Sequence, residues 1–138
     1  MEPLTLEYDR KRMMNPSELL DLVDDRACLN FLASMVRHKS YPETDGEREL
    51  AIFMHDAMTA LGLSSELHPV SGDRVNAIGR LPGSGGGKSL LFNGHLDTNP
   101  VTEGWTVDPL GGVVDDQFIY GIGVSNMKAG CALSHIHI

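Results

Sequence analysis

The residues best suited to chemistry lie in Asn93-Gly94-His95-Leu96-Asp97-Thr98. His95 brings an imidazole and Asp97 a carboxylate two positions later. In extended chain, side chains two apart point to the same side, so both groups face one space. A metal-bound His usually donates its other ring N–H to a carboxylate or carbonyl, which fixes its tautomer and makes it a better ligand. Asp97 is spaced to do this for His95. On its own, a His-x-Asp pair is more often a surface or hydrogen-bonded pair than a metal site.

Other polar groups receive plainer readings. Gly83-Ser84-Gly85-Gly86-Gly87-Lys88-Ser89 approaches a phosphate-binding P-loop, but Pro82 stands where the first Gly belongs. A P-loop also opens a helix, whereas Ser89-Leu90-Leu91-Phe92 reads as strand. A glycine-rich turn is the expectation. Cys28 and Cys131 form neither a metal pair nor a disulfide framework and are expected as small core hydrophobes. Asp108 before Pro109 suits a turn, and Asp115-Asp116 a hairpin tip. Trp105 is read equally as a cleft wall or a packed ring, and Lys128 as facing solvent or capping a neighbour. His135 and His137 are read as an incidental tail in preference to a metal-binding pair.

The elements that must position these groups follow from periodicity. Residues 1–14 read as a loose lead-in. Asn15-Pro16 suits a helix start, with Leu19, Leu20 and Val23 apolar. A second helix is expected from about Asp24, with Leu29, Leu32, Met35 and Val36 inward, ending before Tyr41-Pro42. Thr44 and Glu47 have capping-box spacing ahead of the stripe Leu50, Phe53, Met54, Ala57, Met58 and Leu61. His55 lies off that stripe and is expected in solvent; Gly62 stops the helix. Strands are expected at Ser65–Val70, Val75–Leu81 and Ser89–Phe92, the last buried on both faces. A hairpin follows over Val113–Tyr120, then a helix from about Asn126. Helices before strands around a buried central strand indicate an α/β layer fold.

Composition narrows the classes. The chain has 138 residues, 41% apolar and 22% charged, with 19 acidic residues against 11 basic and a net charge of −8. An acidic surface repels phosphate backbones and gives no attraction to anionic membranes, so neither nucleic acid nor membrane is an expected partner. No apolar run approaches the ~20 residues of a bilayer span, and the first residues lack a secretory signal's apolar core. The expected location is cytoplasmic.

Further motifs follow the His-x-Asp pair in order: Gly104-Trp105, Asp108-Pro109-Leu110, Tyr120-Gly121-x-Gly123 and Asn126-Met127-Lys128-Ala129-Gly130. Together they resemble the signature region of the acetylornithine deacetylase, succinyl-diaminopimelate desuccinylase and carboxypeptidase G family of zinc metallohydrolases. The resemblance runs from about residue 16 to about residue 132. It implies an N-terminal part of a zinc-peptidase-like catalytic domain over residues 15–138, with helices packed on a mixed β-sheet. It implies two zinc ions, or cobalt, and cleavage of an amide bond in an N-acyl amino acid or small peptide. His95 matches the family's first zinc ligand and Asp97 the active-site carboxylate that orients it. Asn126 stands where the family most often has the Asp that bridges the two metals.

Two positions depart from the pattern. Asn126 is neutral and cannot bridge two cations as a carboxylate does, although its oxygen can coordinate one. The expectation is one metal, or a second bound weakly. Ile122, where many members carry Arg, is read as a packing residue. The family's Glu-Glu pair, later acidic ligand, distant His and lid domain do not follow Asn126, so truncation is expected, with an isolated chain inactive and prone to aggregate. The full-length protein is expected as a homodimer. The alternative function is a non-catalytic relative that serves as a binding module or has no function.

Overall fold

The computed structural model describes residues 15–136. The expected lead-in over residues 1–14, and His137, lie outside them. Helix α1 spans Pro16–Leu20, and Asn15 begins it with a reciprocal cap: its Oδ1 accepts the Glu18 N–H at 2.9 Å while its own N–H donates to Glu18 Oε2 at 3.0 Å. Helix α2, Asp25–Val36, starts where Asp24 Oδ1 accepts the Ala27 N–H. Leu32, Met35 and Val36 are buried as their spacing predicts; Leu29 stays partly exposed.

Helix α3 spans Asp45–Ala60. Its expected capping box does not form. Thr44 Oγ1 donates backward to the Tyr41 carbonyl, and Glu47 is drawn off by the Glu43 N–H and by the Arg74 guanidinium, 2.7 Å from Nη2. A two-pronged ion pair outbids a single backbone N–H for the carboxylate. The far end behaves as expected: Gly62 takes φ +85°, the Leu63 N–H reaches the Met58 carbonyl and the Gly62 N–H the Thr59 carbonyl. A side chain with a Cβ resists that left-handed conformation. His55 is half-buried, its Nδ1 2.9 Å from Ser65 Oγ, rather than solvated.

Strands β1, Ser64–Ser71, and β2, Arg74–Arg80, pair antiparallel with Leu67 opposite Ala77. Strands β3, Val113–Val114, and β4, Ile119–Tyr120, make a second antiparallel hairpin. Asp115 closes its tip as expected: Oδ1 accepts the N–H groups of Gln117 and Phe118, and Oδ2 the Tyr120 hydroxyl. These bonds hold the Asp115 carboxyl below its ordinary pKa.

The α/β class holds, but the mixed sheet is corrected to two separate two-stranded antiparallel sheets among the described residues. Residues 89–92, expected as a buried strand, form no ladder; Leu90, Leu91 and Phe92 are 79%, 83% and 63% exposed. A strand exists only when a neighbour accepts its backbone hydrogen bonds, and no described residue does so here.

After Gly123 the chain makes one wide π-type turn, Val124–Lys128, before helix α4, Ala129–Ile136. The expected helix start at Asn126 therefore moves to Ala129, because Asn126 and Met127 have non-helical torsions. The core lies between α2, α3 and α4, where Cys28, Leu32, Met35, Val36, Leu50, Met54, Cys131 and Ala132 pack together. Burying each large side chain contributes about 1.5–3 kcal/mol. Both cysteines are free and buried, as expected. His135 belongs to this core: its ring stacks on Phe31 at 4.1 Å, and Phe31 on Phe53 at 5.3 Å. The incidental tail is thus corrected at His135, whose flat ring serves as an apolar surface.

Candidate active site

His95, Asp97 and Asn126, 31 positions apart at the extremes, meet in one open cleft of about 370 Å³. His95 Nδ1 lies 3.0 Å from the Asp97 carbonyl and 3.4 Å from its carboxylate Oδ1. That side of the ring carries a proton, since both neighbours are acceptors. Nε2 faces Asn126 Oδ1 at 3.0 Å. A proton on Nε2 completes this contact, so the surroundings favour the imidazolium. The His95 pKa is accordingly raised: the Asn126 bond is the largest cause, burial opposes it, and the hydrogen bonds and charge of Asp97 add to the rise.

Neighbouring elements shape the cleft. Thr98, Trp105, Ile122 and Gly123 line it beside the three polar residues. Trp105 is a wall residue, 40% exposed. Asp108 makes the expected turn, with Oδ1 accepting the Leu110 N–H, and the Ile122 N–H donates to the Pro109 carbonyl at 2.7 Å. Gly123 has φ +79°, and a Cβ there would come within 2.3 Å of Thr98 Cγ2. Glycine therefore lets the Asn126 turn approach the His95 segment. The Thr98 hydroxyl is buried without a hydrogen-bond partner among the described residues.

Two further residues shape the site: Ser40, which no sequence signal marked, and Lys128, whose partners the sequence left open. Ser40 is fully buried; its Oγ donates to the Leu96 carbonyl and its own carbonyl accepts the Thr98 N–H, both at 2.8 Å. Lys128 is also fully buried, with Nζ donating to the carbonyls of Met35 at 2.9 Å and His38 at 3.1 Å. Of its two expected roles, capping is the one it takes, at the end of α2. Burial lowers its pKa to about 8.

His95 Nε2 and Asn126 Oδ1 form a nitrogen–oxygen donor pair of the kind zinc accepts. No group of three or more His, Cys, Asp or Glu able to hold a metal occurs among the described residues. The pair fits part of a metal site, with further ligands required.

No family model matches the chain. Curated relatives do. Over 70 residues it is 43% identical to the acetylornithine deacetylase of Salmonella arizonae, covering 49% of this chain and 18% of that protein. Over 48 residues it is 42% identical to the succinyl-diaminopimelate desuccinylase of Wolinella succinogenes, covering 35% and 13%. These partial matches support the acetylornithine deacetylase and succinyl-diaminopimelate desuccinylase family for this chain. A longer match to this family, 35% identical over 85 residues, is the acetylornithine deacetylase of Vibrio cholerae, covering 61% of this chain and 22% of that protein. The chain thus spans about a fifth or less of these deacetylases and desuccinylases, and each match is shorter than the stretch 16–132 spanned by the motifs. No helix among the described residues is long and apolar enough to cross a membrane.

Proposed function

We propose that this chain carries part of the metal site of an amidohydrolase that cleaves an N-acyl amino acid or small peptide, as the names of its deacetylase and desuccinylase relatives suggest. The observation that carries the reading is the convergence of His95 Nε2 and Asn126 Oδ1 at 3.0 Å, with Asp97 behind the ring. Zinc, or cobalt, would be held by these two atoms together with ligands beyond them. Bound there, it would supply Lewis acidity toward the amide carbonyl and a lowered pKa for a water.

The chain's own residues have distinct tasks. Asp97 keeps the proton on Nδ1, so that when a metal replaces the proton at Nε2 the ring would be neutral and would present its lone pair there. Asn126 offers one neutral oxygen, which would coordinate a single cation and would leave more positive charge in the cleft than a carboxylate. Trp105 screens one side of the cleft from water. The full-length protein is proposed as a cytoplasmic homodimer with a small-molecule substrate.

Titration with Co2+ followed by calorimetry, alongside an assay with N-acetylornithine, tests the reading. Metal uptake that His95→Ala abolishes, with metal-dependent hydrolysis by the intact polypeptide, supports it; no metal uptake overturns it. The neutral Asn126 favours a second reading, a non-catalytic relative. Its signature is a chain that binds metal through His95 yet hydrolyses nothing, and that Asn126→Asp fails to activate.

A further inference from the structure

The two donors of the cleft are held by residues that never enter it. The Ser40 bonds to Leu96 and Thr98 bracket Asp97 from both sides and stop the His95 segment from sliding or rotating. Asn126 sits in a turn whose torsions are non-helical, so regular helix hydrogen bonding does not fix it. Two residues later, Lys128 ties that turn to the carbonyls of Met35 and His38. Every protein partner in these bonds on the α2 side falls within residues 35–40. Methionine would fill the Lys128 volume without desolvating an ammonium group, so packing alone does not account for a lysine there. Its placement is accounted for by the two carbonyls it bonds.

We propose that Ser40 and Lys128 are positioning residues which, by tying both sides of the cleft to residues 35–40 at the end of α2 and just after it, set the spacing between His95 Nε2 and Asn126 Oδ1. The functional meaning rests on the reading of those atoms as metal donors; the spacing itself is measurable without metal.

The test uses the whole 138-residue chain as wild type, Ser40→Ala, Lys128→Met and Cys28→Ala, with folding verified by circular dichroism. Cys28→Ala truncates the core without removing a side-chain hydrogen bond, and so controls for lost stability. The first readout is the imidazole 15N shift of His95 in metal-free chain, which reports the Asn126 contact. The second is Co2+ affinity from the visible absorption band. The expected result is a displaced Nε2 signal and affinity about ten- to a hundredfold weaker in Ser40→Ala and Lys128→Met, as for other residues that orient ligands, with Cys28→Ala unchanged. If wild type takes up no Co2+, its two donors do not hold the metal without the further ligands, and the 15N shift alone decides the positioning. If Lys128→Met does not fold, Ser40→Ala decides. Wild-type 15N shifts in folded Ser40→Ala, or an equal displacement in Cys28→Ala, overturns the proposal.

Discussion

The two flanks of His95 are built in opposite ways. On its C-terminal side, Leu96 and Thr98 are pinned by Ser40, and Thr98 is buried. On its N-terminal side, Leu90, Leu91 and Phe92 are among the most exposed large apolar residues described. Hydropathy alone ranks these flanks the wrong way round, since the more apolar one lies open. Burial follows from having a backbone partner: the pinned flank has Ser40, and the open flank has no ladder to join.

The contrast is sharpest where its support is removed. Met35→Ala, at the end of α2 beneath the pinned flank, is expected to cost about 2–5 kcal/mol in a urea melt; a smaller loss would mean that this core is loosely packed. Ser40→Ala is expected to cost about 1–3 kcal/mol, because the Leu96 carbonyl loses its donor. Equal stability in the two proteins would show that water replaces the hydroxyl, and the flank would not be pinned.

His135 provides a pH handle on the same core. Burial lowers its pKa below the ordinary value of 6.5. The unfolded state therefore binds the proton more readily than the folded state. The His135 contribution is fully present above pH 6.5 and is lost as pH falls through the folded pKa. Melting temperature should fall on acidification from pH 7 to pH 5, and more steeply in wild type than in His135→Phe. Parallel curves would remove His135 from the packed side.

The open flank should respond least in stability. Leu91→Ser is expected to change it by no more than about 0.5 kcal/mol, while lowering dye binding and self-association. A large destabilisation would reveal that this flank is packed in solution and would break the comparison. Smallest of all is Thr44→Ala, also within about 0.5 kcal/mol, because the Thr44 hydroxyl bonds the Tyr41 carbonyl and not a helix N–H.

Legibility in the sequence follows the range of the interaction. Helices α2 and α3, the β1–β2 hairpin and the Asp115 tip depend on neighbours within a few residues, and their residue patterns announce them. His95 and Asp97 are legible for the same reason. The Glu47 capping box misled because its competitor, Arg74, lies 27 positions away. Residues 89–92 misled because apolar character shows that a strand suits a sheet, not that a partner is present. The role of Ser40 could not be read at all, and that of Lys128 only as one of two alternatives. Both residues bond backbone carbonyls 56 and up to 93 positions distant, and a carbonyl has no letter in the sequence.

The glycine run after β2 has a further consequence. Nothing lies within 4 Å of where a side chain would stand at Gly83, Gly85, Gly86 or Gly87. A protease should cut here first. The two products, one carrying α2 and α3 and the other the cleft, would still share the Ser40 and Lys128 bonds and the common core. The nicked chain should migrate as one species in native buffer and separate only in denaturant, and the two halves, expressed apart, should find each other and restore the fold by complementation.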